Sequence, residues 1–333
     1  MTTRIYCTLF DKNYLYQGVA LHRSLLRYAG KFTLYALCMD STAHAMIERM
    51  RSPSLVPIDV NDLITDEVAR VRERTTHGQF CWVCQPLVCE YILDRFAVDM
   101  VTYLESDSLF FSDPEALFSE IADRSASLVP HNFSSEFDNS STAGLYCVQF
   151  NAFRNNAAGR RVLGYWRQRS FEYDRRAPLV YPGQLCLDDW PGKFEGVAVI
   201  SHRGAGVAPW NVRGYSLGMR GSTPTVDGVP VVFYHYHQYA RRRGGEHDLG
   251  SYPMTQQVVE SFYKPYVAEI RLAEQATRAI DAGFNYRREC AQISTLAELL
   301  RAPSVANAAE YARLVGRKLR GRYNVYSDAY FPA

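Results

Sequence analysis

The sequence lacks any apolar run long enough to cross a bilayer. The opening Met-Thr-Thr-Arg-Ile-Tyr-Cys passes straight into a strand pattern with no signal-peptide core, so a cytoplasmic location is expected. One-sided charge is also missing. The 37 basic residues nearly balance 35 acidic ones, for a net charge of +2, which argues against a nucleic-acid binder. A disulfide framework is absent as well. The eight cysteines are scattered, mostly inside apolar runs (Cys7, Cys38, Cys147, Cys186), as expected of reduced, buried thiols. No internal repeat or low-complexity tract interrupts the chain.

What is present is an alternation of strand and helix patterns. Ile5–Phe10, Phe32–Met39 and Leu55–Val60 read as strands, with helices over Tyr14–Tyr28 and Thr42–Met50. That order implies parallel strands with helices on the sheet faces. A helix over Cys84–Phe96 leads into a strand over Asp99–Leu104. Ser125–Pro130, Leu145–Phe153, Val197–Ser201 and Val231–Tyr236 read as later strands, and Ala157–Glu172 as a helix. From Ser261 the pattern is mainly helical, and Arg241-Arg242-Arg243-Gly244-Gly245 reads as a flexible basic linker. The expected division is a domain over 1–240 and a mainly helical extension over 241–333. Tyrosine is abundant (23 residues), which suits recognition of sugars and bases.

Four stretches can carry chemistry. Val101–Phe110 is a strand pattern running into Glu105-Ser106-Asp107. Residues at i and i+2 of an extended chain point the same way, so both carboxylates can reach one hard cation such as Mg²⁺ or Mn²⁺. In Phe233-Tyr234-His235-Tyr236-His237 the same alternation puts two imidazoles on one face, able to hold a metal or meet phosphate. Pro182–Pro191 combines a glycine turn with Gln184, Asp188, Asp189 and Trp190; it reads as a capped helix with a packed Trp, or as a segment facing substrate. Gly204–Asn211 is a close-approach loop ending in Trp210 and Asn211, either a tight turn or a row of N–H groups for phosphate.

Together, and in this order, these stretches resemble the motifs of bacterial GT-A glycosyltransferases related to the glycosyltransferase 8 group. The resemblance covers roughly residues 1–240. It implies an α/β GT-A-type fold, a Rossmann-like mixed sheet flanked by helices. It further implies transfer of a sugar from a nucleoside-diphosphate sugar, UDP-linked by preference, to a saccharide or lipid-linked acceptor, with retention in the family's manner. Glu105, Asp107 and His235 would hold Mn²⁺ or Mg²⁺ on the diphosphate. Thr8, Tyr14, Ser106, Trp210, Asn211 and His237 would contact the nucleotide, and Gln184, Asp188 and Asp189 the reacting sugar or acceptor.

The chain departs from that pattern around the sugar. Glu105 and Gly183 stand where the family has Asp, Cys147 where it has Asn, and Gln149 where it has Gly. These departures leave open a catalytically silent nucleotide-sugar-binding protein on the same scaffold. A sugar-nucleotide pyrophosphorylase is disfavoured, because Thr8-Leu9-Phe10-Asp11-Lys12 lacks the glycine-rich loop such enzymes place after the first strand. Cys81-Trp82-Val83-Cys84 has redox-motif spacing but leads into a helix of a larger domain. The basic run over 311–322 reads as a solvated terminal helix or as one resting on an anionic membrane surface.

Overall fold

A computed structural model describes residues 3–176, 181–242, 245–285, 296–301 and 304–331. The chain forms two compact units, Met1–His235 and Tyr236–Ala333.

The first unit opens with β1 (Arg4–Phe10), α1 (Leu15–Tyr28), β2 (Phe32–Cys38), α2 (Ser41–Met50) and β3 (Leu55–Asp59). After α3 (Asp66–Arg74) comes α4 (His77–Arg95), then β4 (Met100–Leu104), β5 (Ser108–Phe110) and α5 (Glu115–Ile121). The order continues with β6 (Ala126–Pro130), α6 (Ser140–Ala143), β7 (Tyr146–Cys147), β8 (Phe150–Arg154), α7 (Ala157–Ser170) and, further on, β9 (Val197–Val199). The sheet order is β3-β2-β1-β4-β8-β6-β7, with β9 beside β6. β3, β2, β1 and β4 run parallel, and β8 is antiparallel to β4. The crossover direction therefore reverses between β1 and β4. Open α/β sheets bind ligands at such a switch point, beyond the carboxyl ends of the strands.

Registry fixes which side chains share a face. Tyr6 lies opposite Thr102, and Cys7 opposite Tyr103. Cys7 and Tyr103 face α4, where the Cys7 and Cys89 sulfurs meet at 3.6 Å. On that side Trp166 and Trp190 are fully buried around Phe153. The reduced, buried reading of Cys7, Cys38, Cys147 and Cys186 matches their free, buried thiols. A cavity of about 610 Å³ opens at the opposite, amino-terminal end of these strands, between Arg4, Met100, Phe118 and Arg154.

Several boundaries differ from expectation. Thr76 and Gln79 form a reciprocal capping box, so α4 begins at His77 rather than Cys84. Cys81 and Cys84 are consequently both helical. The run Leu145–Phe153 is split into β7 and β8. In the second unit the expected linker is instead structured: Ala240–Arg242 pairs with Glu246–Asp248, which pairs with Val325–Ser327; Arg243 and Gly244 lie outside the described residues. The long helix Lys264–Ile280 packs Tyr266 flat on Tyr236 at 3.6 Å. In the helix Val305–Leu319, Leu314 and Arg317 are buried, while Arg313, Lys318 and, just past its end, Arg320 are exposed. Arg317 forks onto Asp248 at 2.7 and 2.9 Å. No helix among the described residues is long and apolar enough to cross a membrane.

Candidate functional site

β4 ends at Leu104, and Glu105 to Ser108 form a tight turn closed by the Ser108 N–H on the Glu105 carbonyl at 3.2 Å. The two acids are thus presented by a turn beyond the strand, not by strand alternation. The chain then enters β5, which pairs antiparallel with Phe233–His235, placing His235 opposite Ser108. That register delivers His235 to the neighbouring acid: its Nε2 lies 3.1 Å from Asp107 Oδ1. The Phe233–His235 strand stops there. His237 falls in a turn of the second unit with its ring near Tyr252, so the two histidines do not share a strand face.

The glycine loop reaches the same place. The His235 N–H donates to the Val207 carbonyl at 2.8 Å, and the Trp210 ring stands edge-on to His235 at 5.3 Å. Gly206 takes a left-handed φ of +65°, and a Cβ there would come within 2.3 Å of Gln149 Nε2. Asn211 is committed to backbone: its amide donates to the His131 and Gly206 carbonyls and its oxygen accepts the Ala208 N–H. Trp210 Nε1 also donates to the His131 carbonyl at 2.9 Å.

Two further groups complete this floor: His131, which the sequence does not single out, and Gln149, which it marks only as a departure from the resembled pattern. His131, just past β6, donates from Nδ1 to the Gly144 carbonyl at 2.9 Å. Gln149 accepts from His235 Nδ1 at 3.1 Å, while its own Nε2 is buried without a partner. Cys147 lies between the imidazoles of His131 and His235. Burial alone would raise its thiol, but the two imidazoles outweigh it and bring it down to about 7. His235 goes the other way. Burial opposes its charge, yet Asp107 and then Cys147 hold it well above the usual imidazole range. Glu105 is pushed up to about 8, first by burial and then by the Asp107 carboxylate. Gln85 of α4 donates to Glu105 Oε1 at 2.8 Å.

A buried carboxyl group beside a second carboxylate is the electrostatic setting a cation relieves. The Asp107–His235 spacing also suits one: octahedral ligands at about 2.1 Å stand about 3 Å apart. With Nδ1–H given to Gln149, Nε2 is the nitrogen that faces Asp107; it carries a proton there, which a bound cation would displace. The third donor is not in the same position. Glu105 is turned to Gln85, and among the described residues no group of three His, Cys, Asp or Glu side chains is gathered around one point.

The remaining expected residues are placed as follows. Thr8 is fully buried in β1, with its hydroxyl unpartnered, and Ser106 is buried in the acidic turn. Tyr14 caps α1 behind Asp11, whose carboxylate accepts the Asn13 and Tyr14 N–H groups. Gln184 donates to the Ala143 carbonyl at 2.8 Å. Asp188 accepts the Leu145 and Tyr146 N–H groups, and Asp189 accepts the Tyr165 hydroxyl at 2.5 Å beside Lys193. Gly183 is enclosed: a Cβ would lie 2.6 Å from Ser170 Oγ and 3.2 Å from Tyr173. The acid of the family pattern has no room there.

No protein-family model matches the chain. Two relatives are uncharacterized proteins of Bacillus subtilis (strain 168). YfnD is 23% identical over 285 residues, covering 81% of this chain and 90% of that protein. YfnF is 27% identical over 248 residues, covering 71% and 82%. Among crystal structures, the galactosyltransferase LgtC in complex with donor and acceptor sugar analogs matches with a TM-score of 0.53 at 13% identity, over 80% of this chain and 95% of that one. An active-site mutant of LgtC matches with a TM-score of 0.50 at 15% identity, over 72% and 90%. At such identities the likeness shows the fold, a mixed α/β architecture of the GT-A glycosyltransferase type.

Proposed function

We propose that the protein is a glycosyltransferase that moves a sugar from a nucleoside-diphosphate sugar, UDP-linked by preference, to a saccharide or lipid-linked saccharide acceptor, with retention of configuration. The observation that carries this reading is the meeting of Asp107 and His235, 128 positions apart in sequence, beside Glu105 at the carboxyl ends of β1 and β4. A sheet of this topology receives a nucleotide at that edge.

Glu105, Asp107 and His235 would hold Mn²⁺ or Mg²⁺, Glu105 through the carboxylate oxygen that Gln85 does not engage. The cation supplies Lewis-acid stabilisation of the departing diphosphate. The chain's own groups do the rest. His235, its Nδ1–H on Gln149, would give Nε2 to the cation as a neutral imidazole. The Asp11 turn, with Thr8 and Tyr14 around it, receives the base and ribose. His131, Cys147 and Gln149 form the floor under the sugar. Inverting transfer needs a carboxylate base at the acceptor hydroxyl. Asp188 is spent on backbone N–H groups and Asp189 on Tyr165 and Lys193, which favours retention. Gln184, part-exposed, is the polar group offered to the sugar from that side. The exposed Arg313, Lys318 and Arg320 would rest the second unit on anionic lipid at the cytoplasmic face, within reach of a lipid-linked acceptor.

Titration calorimetry with UDP tests the reading. Binding should require Mn²⁺ and weaken at least about tenfold in Asp107→Asn. Equal affinity in the presence of chelator would refute the metal role of Glu105 and Asp107.

A further inference from the structure

Helix α4 carries a polar stripe along its first half. His77, Cys81 and Gln85 stand at i, i+4 and i+8 and so share a face. The two ends of the stripe are tied to two different parts of the candidate site. His77 Nε2 lies 3.2 Å from Asp11 Oδ2, in the turn that follows β1. Gln85 Nε2 donates to Glu105 Oε1 at 2.8 Å, in the turn that follows β4. Cys81 lies between, its sulfur 3.8 Å from His77 Nε2, and it is part-exposed where every other described cysteine is buried. Eight residues of α-helix advance roughly 12 Å, the length scale that separates the base end of a nucleoside diphosphate from its outer phosphate.

We propose that this face of α4 is a wall of the donor site, with His77 and Gln85 as positioning residues that hold Asp11 and Glu105 at the distance a nucleoside diphosphate spans, and with Cys81 on the surface the bound nucleotide covers. The inference rests on the function proposed above. Gln85 acts through Glu105: its amide engages one carboxylate oxygen and leaves the other for the cation. Pro86 supports this placement. It has no N–H to give the Trp82 carbonyl, so the helical bonding is interrupted one residue past Gln85. The rest of the helix is anchored through Cys89 against Cys7, so the stripe cannot turn away without disturbing the core.

The test is alkylation of the full-length chain with N-ethylmaleimide, read at the Cys81 peptide by mass spectrometry. Free of nucleotide, Cys81 should react. With UDP and Mn²⁺ at a hundred times Kd, only about 1% of the protein is unliganded, and the rate at Cys81 should fall at least about tenfold. A second arm is Gln85→Met, which keeps length and burial but donates no hydrogen bond. It should weaken Mn²⁺-dependent UDP binding by about tenfold or more, as loss of a group behind a metal ligand does, and leave any chelator-resistant binding unchanged. If calorimetry shows UDP bound while Cys81 reacts at its free rate, the wall is wrong and the proposed function stands. If Gln85→Met binds like the parent chain, Gln85 has no positioning role. If no nucleoside diphosphate binds at all, both readings fall together. An unreactive Cys81 in the free protein would also overturn the proposal, because the face would then be closed.

Discussion

Asp188 offers a sharp separation between scaffold and chemistry. Its Oδ1 accepts the Leu145 N–H at 2.8 Å and the Tyr146 N–H at 3.3 Å, and Oδ2 accepts the Leu145 N–H at 3.0 Å. Gly144, at φ +85°, comes so close that a Cβ would sit 3.1 Å from the same carboxylate. The side chain therefore pins the start of β7, and through it Cys147. Hydrogen bonds to a charged acceptor contribute about 1.5–3 kcal/mol. Leu145 is an exposed residue, so part of that is recovered from water when the carboxylate is removed. Asp188→Ala should accordingly cost about 2 kcal/mol. In a unit of this size that lowers the melting temperature by about 4–8 °C. Asp188→Asn keeps one acceptor oxygen and should lose about half as much. Circular-dichroism melts and urea titrations measure both. Turnover should fall only in step with the disturbance of β7. An Asp188→Ala protein that melts with the parent chain yet has no transferase activity would refute the reasoning, since the carboxylate would then be acting on substrate.

Two other perturbations follow from the same kind of reading. His22 is buried in α1 against Ser54, and burial lowers its imidazole from 6.5 to about 4. The unfolded chain then binds more protons than the folded one between those values, so stability rises with pH across that window and is lost as pH falls through it, by up to about 3 kcal/mol. His22→Gln should flatten the dependence of urea midpoint on pH between about 4 and 6.5, and an unchanged slope would show that His22 does not titrate on unfolding. In the second unit, Arg317→Met strips buried Asp248 of its two-pronged partner, leaving Arg313 at 3.8 Å and the Gly250 N–H, and should cost about 3 kcal/mol, whereas Arg317→Met with Asp248→Leu should recover most of it; a double variant as unstable as the single one would mean the pair matters through packing rather than charge.

How much was legible in the sequence depends on whether a residue's role is local. The strands β1 to β4 were readable because apolar runs and caps such as Asp40 at the start of α2 are local signals. The pairing of Asp107 with His235 was visible only as motif order. What joins them is the antiparallel register of Ser108–Phe110 with Phe233–His235, and a three-residue strand of that kind has too little periodicity to announce itself. The same shortness misled the reading of His237, since alternation was extended past the strand's end. His131 escaped because nothing local marks it, and Gln149 showed only as a departure from the resembled pattern; only the fold puts Gln149 on His235 and His131 beside Cys147. The α4 stripe is the instructive case. His77, Cys81 and Gln85 have clean helical spacing, but an expected helix start at Cys84 cut it in half. The signal that would have restored it was present in Thr76 and Gln79, a capping box that starts the helix seven residues earlier, at His77. A helix boundary misplaced by two turns thus concealed an element that touches both Asp11 and Glu105.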